Sequence, residues 1–300
     1  MTIGFVAAAE RDAKREALTH ALMEYVLGHS EGHTVLIEPR FFASLMMQGV
    51  DLGNARSVSP MSEGASCDLL VSIGGDGTFL RAAKLVAGTK TAILGVNAGR
   101  LGFLASMQPE ELMASWTPVL DGAYTEEMRT MLEVSEADPD GKETVIGEAL
   151  NEISVLRRDT ASMIEAMTYV DGEFMGNYVG DGVNIATPTG STAYSMSVFG
   201  PITHPAAKVL LICPIASHSL NMRPLVLPDS VELSVEVSSR NGSFLLTIDG
   251  KGKPMRHHTP LRVRKSKKEI RVAHLRERYS YYATLRNKLM WGQDVRKFEM

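Results

Sequence analysis

The sequence predicts an α/β domain with a mostly parallel sheet, followed by a second, mainly β domain and a final helix that packs back on the first domain. Three observations predict it. Strand and helix signals alternate through the first third of the chain. The glycine turn Gly74-Gly75-Asp76-Gly77-Thr78 joins an apolar run to a helical one. Beyond Pro109-Glu110-Glu111-Leu112-Met113, strand signals dominate.

In order, Ile3 to Ala8 is a short apolar run, and Leu18, Ala21, Leu22, Tyr25 and Val26 recur at helical spacing. Thr34-Val35-Leu36-Ile37 is strand-like again. The apolar Leu69-Leu70-Val71-Ser72-Ile73 leads into the glycine turn, the helix-compatible Phe79 to Val86 follows it, and Thr91 to Val96 continues the βαβ grammar. Ligands of such sheets bind at the carboxyl ends of the strands, where this turn belongs. Pro109-Glu110-Glu111 has the proline and acidic residues favoured in a first helical turn. Farther on, Ser230 to Ser238 alternates apolar and polar at period two. Met163 to Val170, Val209 to Ile212, Phe244 to Ile248 and Ile270 to Val272 are further strand runs, separated by Asp-Gly, Asn-Gly and proline turns. Tyr281 to Trp291 spaces Tyr282, Leu285, Leu289 and Met290 along one helix face. The expected domains are 1–105 with 277–300, and 106–276.

Composition narrows the function classes. Lys+Arg 31 against Asp+Glu 35 leaves a net charge of −4, without the positive field of a dedicated nucleic-acid or anionic-membrane binder. Cys67 and Cys213 provide neither a disulfide framework nor a zinc spacing, and both read as buried thiols. The N-terminus enters a strand directly, and no window is apolar over the eighteen or so residues that a membrane span needs. These features point to a cytoplasmic protein. The basic run Arg262 to Lys268 lacks interleaved aromatics and reads as a solvated edge or turn. His218 reads as packed or hydrogen-bonded rather than catalytic, and the seventeen methionines as core filling.

Chemistry concentrates in the glycine turn. Gly74, Gly75 and Gly77 let backbone N–H groups converge on a phosphate near a helix N-terminus, with Thr78 beside them. Asp76 is the anomaly, since a carboxylate in a phosphate turn repels its own ligand. It is either a metal partner or the base that activates an attacking hydroxyl, unless the stretch is a β-turn needing Gly and Asp for backbone reasons. A second glycine- and hydroxyl-rich stretch, Gly180 to Ser195, offers donors and acceptors to a polar ligand, and Ser191 or Thr192 is placed to cap a helix starting near Ala193. Asn151-Glu152 stands at a strand end.

Together these blocks resemble the NAD kinase family. They comprise Gly74 to Thr78, Gly95-Val96-Asn97-Ala98-Gly99-Arg100-Leu101-Gly102-Phe103-Leu104, Arg129-Thr130-Met131-Leu132, Asn151-Glu152 and Asp181-Gly182. Thr187 to Ser195, Gly200-Pro201-Ile202, Ser217 to Val226, Asp249-Gly250 and Leu285 to Leu289 complete them, in family order from about residue 70 to the end. The resemblance implies a Rossmann-like α/β domain and a β-sandwich domain with the site between them. It also implies transfer of the terminal phosphoryl group of ATP to the 2′-hydroxyl of the adenosine ribose of NAD, giving NADP, and a homodimer or homotetramer. Asp76 matches the catalytic base, and Gly77, Arg81 and Phe103 lie beside the dinucleotide. Asn151, Glu152, Ser162, Asp181, Thr189, Thr192, Ala193, Tyr194, Ser195, Met196, Ser197 and Lys251 match NAD contacts. Mg²⁺ or another divalent cation is expected, to offset the triphosphate charge. Val179, Ser162, Lys251 and Asn184 depart from common family residues, at positions that bear on NAD against NADH and ATP against polyphosphate. Two alternatives stand beside this reading: a lipid-type kinase sharing the glycine turn, and a dinucleotide-binding regulatory protein without catalysis.

Overall fold

The computed structural model describes residues 1–8, 12–59, 62, 66–99, 102–138, 142–158, 162–275 and 280–292. It divides into two compact units, Met1–Met128 with Ile270–Met300, and Arg129–Glu269.

The N-terminal unit opens with β1 (Thr2–Ala7), α1 (Ala13–Gly28), β2 (Thr34–Ile37), α2 (Pro39–Met47) and β3 (Arg56–Ser57). β4 (Leu69–Ile73), α3 (Asp76–Val86), β5 (Ala92–Val96), α4 (Pro109–Ala114) and α5 (Trp116–Leu120) follow. β3, β2, β1, β4 and β5 pair in that order, all parallel. β4 and β5 are buried along their whole length, as strands covered on both faces must be.

α4 and α5 place the first boundary after Met128 rather than after Ala105. Leu112, Trp116 and Val119 are fully buried in one cluster with Phe5, Leu22 and Ile37, so these helices complete the core of the parallel sheet. The Glu111 carboxylate accepts the Gln108 N–H at 2.8 Å, which fixes the start of α4.

β6 (Tyr124–Ala137) leads into the C-terminal unit, which continues with β7 (Glu143–Ala149), β8 (Glu152–Arg157), β9 (Ile164–Val170), β10 (Glu173–Gly180) and β11 (Gly182–Ala186). A 3₁₀ turn (Thr189–Thr192) and the single-turn α6 (Tyr194–Ser197) precede β12 (Val209–Ile215), β13 (Leu225–Pro228), β14 (Leu233–Ser239), β15 (Ser243–Ile248), β16 (Lys251–Arg256) and β17 (Leu261–Leu275). One antiparallel sheet runs β13-β12-β11-β8-β15-β16, and β10, β9, β14 and the start of β17 pair antiparallel in another. Ile153, Val183, Ile212 and Phe244 from the first share one core with Ile164, Val235 and Val263 from the second, which makes the unit a β-sandwich. β14 alternates buried and half-buried residues along its length.

The end of β17 joins the N-terminal unit, where Arg271 and Val272 pair parallel with Ala92 and Ile93 of β5. The second boundary therefore falls after Glu269 rather than after Arg276. α7 (Tyr281–Leu289) follows, capped by the Ser280 hydroxyl, and buries Thr284 and Leu285 while Tyr282 is exposed. Among the described residues, no helix is long and apolar enough to cross a membrane.

Candidate active site

β4 delivers the chain to the glycine turn at its carboxyl end. Gly74 has φ +148°, and a Cβ there would stand 2.5 Å from Thr78 Oγ1 and 3.1 Å from the Ala8 Cβ, so the turn requires glycine. The Gly75 carbonyl accepts the N–H groups of Thr78 at 2.9 Å and Phe79 at 3.2 Å, starting α3. A Cβ on Gly75 or Gly77 would meet nothing within 4 Å, so this backbone faces open space that a phosphate can occupy.

Asp76 is the first residue of α3, where a negative charge suits the helix dipole. Its carboxylate is engaged: Oδ2 accepts the Phe103 N–H at 3.0 Å, and Oδ1 accepts those of Leu104 and Ala105, each at 3.1 Å. A Cβ on Gly102 would overlap Asp76 Oδ1, so glycine there lets the loop close on the carboxylate. A carboxylate offers about four lone-pair positions. Three are spent on the loop, so Asp76 is its anchor and keeps about one position unfilled.

Arg81 Nη2 donates to the Ala7 carbonyl at 2.6 Å, and Nη1 stands 3.4 Å from Glu38, so its guanidinium ties α3 to the end of β1. Phe103 is half-buried, with the Lys288 ammonium 6.0 Å from its ring centre. Arg100 and Leu101 of the same sequence block lie outside the described residues. Behind this loop, a cavity of about 290 Å³ is lined by Leu104, Ser106, His274 and Asn287.

In the C-terminal unit, Asn151 and Glu152 sit buried at the start of β8. Thr187 closes on them: its N–H donates to the Asn151 carbonyl at 2.9 Å and its hydroxyl to the Leu150 carbonyl at 2.6 Å, while the Gly190 N–H donates to that hydroxyl at 3.1 Å. A Cβ on Gly190 would overlap the Asn151 carbonyl. From the opposite side, Asp249 Oδ1 accepts the Asn151 N–H at 2.8 Å and Oδ2 accepts that of Leu150 at 3.1 Å. Glu152 is pushed up to about 7, first by burial and then by the Asp249 charge, against the lowering effect of the Tyr194 N–H bond. The Tyr194 phenol is also raised, by burial and by Asp181 and Glu152.

Asp181 and Glu152 both act on the Tyr194 phenol, although they come from opposite strand ends. Asp181 pairs with Arg157 at 3.0 Å and precedes Gly182, which faces Leu156; Glu152 faces Ala186 at the other end of that ladder. Four strand residues separate the two ends, about 13 Å. Thr189 accepts from buried Arg129 at 3.4 Å, and the Thr192 hydroxyl donates to the Thr189 carbonyl at 3.4 Å. Tyr194, Met196 and Ser197 are exposed on α6 and Ala193 is half-buried before it. Ser195 is the exception. It is fully buried with its hydroxyl 3.5 Å from Cys213 Sγ, so its side chain serves packing rather than a ligand. Ser162 lies just before β9, whose Ile164 faces Gly180 at the end of β10, and Lys251 opens β16 as an exposed residue facing Ile248.

Neither Ser191 nor Thr192 caps α6: the Ser191 hydroxyl accepts from the Thr203 N–H at 3.0 Å and donates to its carbonyl. Of the two expectations for His218, packing is not met, since the residue is exposed, while its backbone N–H donates to the Val179 carbonyl at 2.8 Å. Arg129 and Asp249 belong to the recognised sequence blocks, but their grip on Thr189 and on Asn151 depends on contacts distant in sequence. Among the described residues, no group of three or more His, Cys, Asp or Glu side chains is gathered to hold a metal.

Residues 6–124 match the ATP-NAD kinase N-terminal domain and residues 150–275 the ATP-NAD kinase C-terminal domain. An NAD kinase of Flavobacterium psychrophilum is 42% identical over 264 residues, covering 87% of this chain and 89% of that protein. One of Porphyromonas gingivalis is 40% identical over 271 residues, covering 90% and 92%. In fold, the chain is similar to a yeast NADH kinase complexed with NADH (TM-score 0.85, 23% identity, 98% of this chain and 89% of that one). It is also similar to an NAD kinase from Archaeoglobus fulgidus in complex with ATP (TM-score 0.69, 24% identity, 95% and 99%).

Proposed function

The chain belongs to the NAD kinase family and is a kinase that phosphorylates NAD from ATP, and on that premise we propose that Asp76 is its general base. The observation that carries this reading is the Asp76 carboxylate at the start of α3, in a turn whose glycine backbone opens to space on both sides of it. A ribose hydroxyl is a poor nucleophile at neutral pH. As its oxygen bonds to the terminal phosphorus of ATP and the bridging P–O bond to ADP breaks, its proton passes to Asp76. Gly74, Gly75, Gly77 and Thr78 hold phosphate oxygens.

The dinucleotide contacts fall to the C-terminal unit. Asn151 and Asp181 pair with the nucleoside, Glu152 with a ribose hydroxyl, and Tyr194 with Ser197 flank them. Ser162, Thr189, Thr192, Ala193, Met196 and Lys251 complete the contacts of that unit, and Gly77, Arg81 and Phe103 are assigned to the dinucleotide as well. Ser195 is left out because its buried hydroxyl is turned to Cys213 Sγ. A divalent cation, most simply Mg²⁺, supplies charge neutralisation on the triphosphate and arrives with the donor, since Mg²⁺ is held chiefly by substrate phosphates and one or two carboxylates. Cys67 and Cys213 are buried thiols outside any disulfide, which supports a reducing, cytoplasmic setting. A homodimer or homotetramer rests on the family resemblance alone, and sedimentation equilibrium would test it.

The deciding experiment incubates the purified protein with Mg²⁺ and each pairing of ATP or polyphosphate with NAD or NADH, then quantifies NADP and NADPH. NADP from ATP and NAD is expected. No product under any pairing would turn the reading to a non-catalytic dinucleotide binder.

A further inference from the structure

Asp249 stands at the first central position of the β15–β16 hairpin, with φ +46° followed by Gly250 at φ +74°, the paired positive values of a tight Asp-Gly turn. Its carboxylate is turned to a distant segment. It accepts the N–H groups of Leu150 at 3.1 Å, Asn151 at 2.8 Å and Glu152 at 3.4 Å, and its own N–H donates to the Glu152 carbonyl at 3.0 Å. Three consecutive amides converging on one carboxylate form a clamp on the two residues assigned to NAD. The Glu152 side chain beside it is buried, and its Oε2 has no hydrogen-bond partner.

We propose that Asp249 is a positioning residue for the dinucleotide, pinning the Leu150–Glu152 backbone so that Asn151 and Glu152 meet the nucleoside in one fixed geometry. This rests on the reading that Asn151 and Glu152 contact NAD. The carboxylate has a second consequence. Its negative charge, added to burial, keeps Glu152 protonated up to about pH 7, so that Glu152 presents both an O–H donor and an acceptor to a ribose diol. The groups facing Glu152 are Asp249 from the hairpin, the N–H and phenol of Tyr194 from α6, and uncharged Ala186 across the ladder on β11; Lys251 follows on the hairpin itself.

The test compares Asp249→Asn with the parent protein in steady-state kinetics across pH. The amide keeps the size of the side chain but removes the charge and turns one acceptor into a donor. KM for NAD should rise about tenfold while KM for ATP changes little. The decline of NAD affinity on the alkaline side should move about one unit toward acid, because Glu152 then ionises sooner. A merely structural role would not move that limb. A superimposable pH profile, or equal rises in both KM values, would overturn the proposal. Should Asp249→Asn fold poorly, Glu152→Gln with the clamp intact decides: the alkaline limb should vanish, and its persistence would overturn the proposal too. Asn151→Ala separates the two levels of the reading. If it leaves NAD affinity unchanged, the NAD-site assignment fails; if it weakens NAD while Asp249→Asn does not, only the clamp fails.

Discussion

At the scale of single residues, two carboxylates anchor backbone, and that changes what a substitution at either means. Asp76→Asn is the natural test of a general base, yet here it is not silent structurally. With its oxygen placed at Oδ1, asparagine keeps the Leu104 and Ala105 bonds, but its NH₂ then faces the Phe103 N–H and that bond is lost. Turnover should fall about 10²–10⁴-fold, and the Phe103 amide should exchange with deuterium faster than in the parent protein. Unchanged exchange would mean that the carboxylate does not hold the loop in solution. Near-normal turnover at ordinary Mg²⁺ would remove Asp76 from the chemistry altogether. Glu152 makes a separate prediction through stability. Its carboxyl rises from 4.5 to about 7 in the folded protein, so between those values the folded state holds a proton that the unfolded chain has released. The Glu152 contribution to stability is then greatest below about pH 4.5 and is lost as pH rises through about 7, amounting to up to about 3 kcal/mol. Glu152→Gln should remove this slope, raising Tm at pH 8 and leaving it nearly unchanged at pH 4. A parent protein more stable than the variant at pH 8 would contradict the burial of an uncompensated carboxyl.

At the scale of elements, the site is built from turns that grip strand ends. Gly190 packs its Cα against the Asn151 carbonyl, so Gly190→Ala must push the 3₁₀ turn away from β8. KM for NAD should rise together with a loss of roughly 1–3 kcal/mol in stability, measured by urea unfolding. Full NAD affinity in that variant would show that the 187–190 turn does not shape the dinucleotide contacts. The same elements show how far local pattern carries. β1, β2, β4 and β5 were legible because an apolar run between glycines and polar residues is a local signal, and β14 because its alternation is complete within the strand. Arg262 to Lys268 was not legible as the middle of a long strand. Arg262, Arg264, Lys265 and Lys268 are balanced by Glu143, Glu133, Glu232, Asp229 and Glu148, far away in sequence. The Ser191 hydroxyl was likewise legible as a cap and is spent on Thr203. Glycine turns and Asn-Glu could be found from the sequence because their residue types are distinctive; the clamp of Asp249 could not, because an Asp-Gly hairpin turn looks the same whether or not its carboxylate reaches another strand.

At the scale of the whole molecule, the division into units follows the two hydrophobic cores rather than the change in secondary-structure grammar. Strand signals take over soon after residue 109, which suggested a boundary at 105, but the intervening helices belong to the first core. Trp116 lies 6.0 Å from Phe5 between ring centres, and its indole N–H donates to the Ser30 hydroxyl at 3.2 Å. The C-terminal core draws on residues from Leu132 to Val263 and on nothing from α4 or α5. A fragment of residues 129–269 should therefore unfold cooperatively in urea. A fragment of 106–276 carries the same core plus Leu112, Trp116 and Val119 with their partners removed. Burying a side chain of this size is worth about 1.5–3 kcal/mol, so their exposure should appear as strong binding of a hydrophobic dye and a tendency to aggregate. Tryptophan fluorescence supplies an independent reading: Trp116 should emit as a buried indole in the intact protein and as a solvated one in the 106–276 fragment. Equal solubility, equal dye binding and a buried Trp116 in that fragment would return the boundary to residue 105.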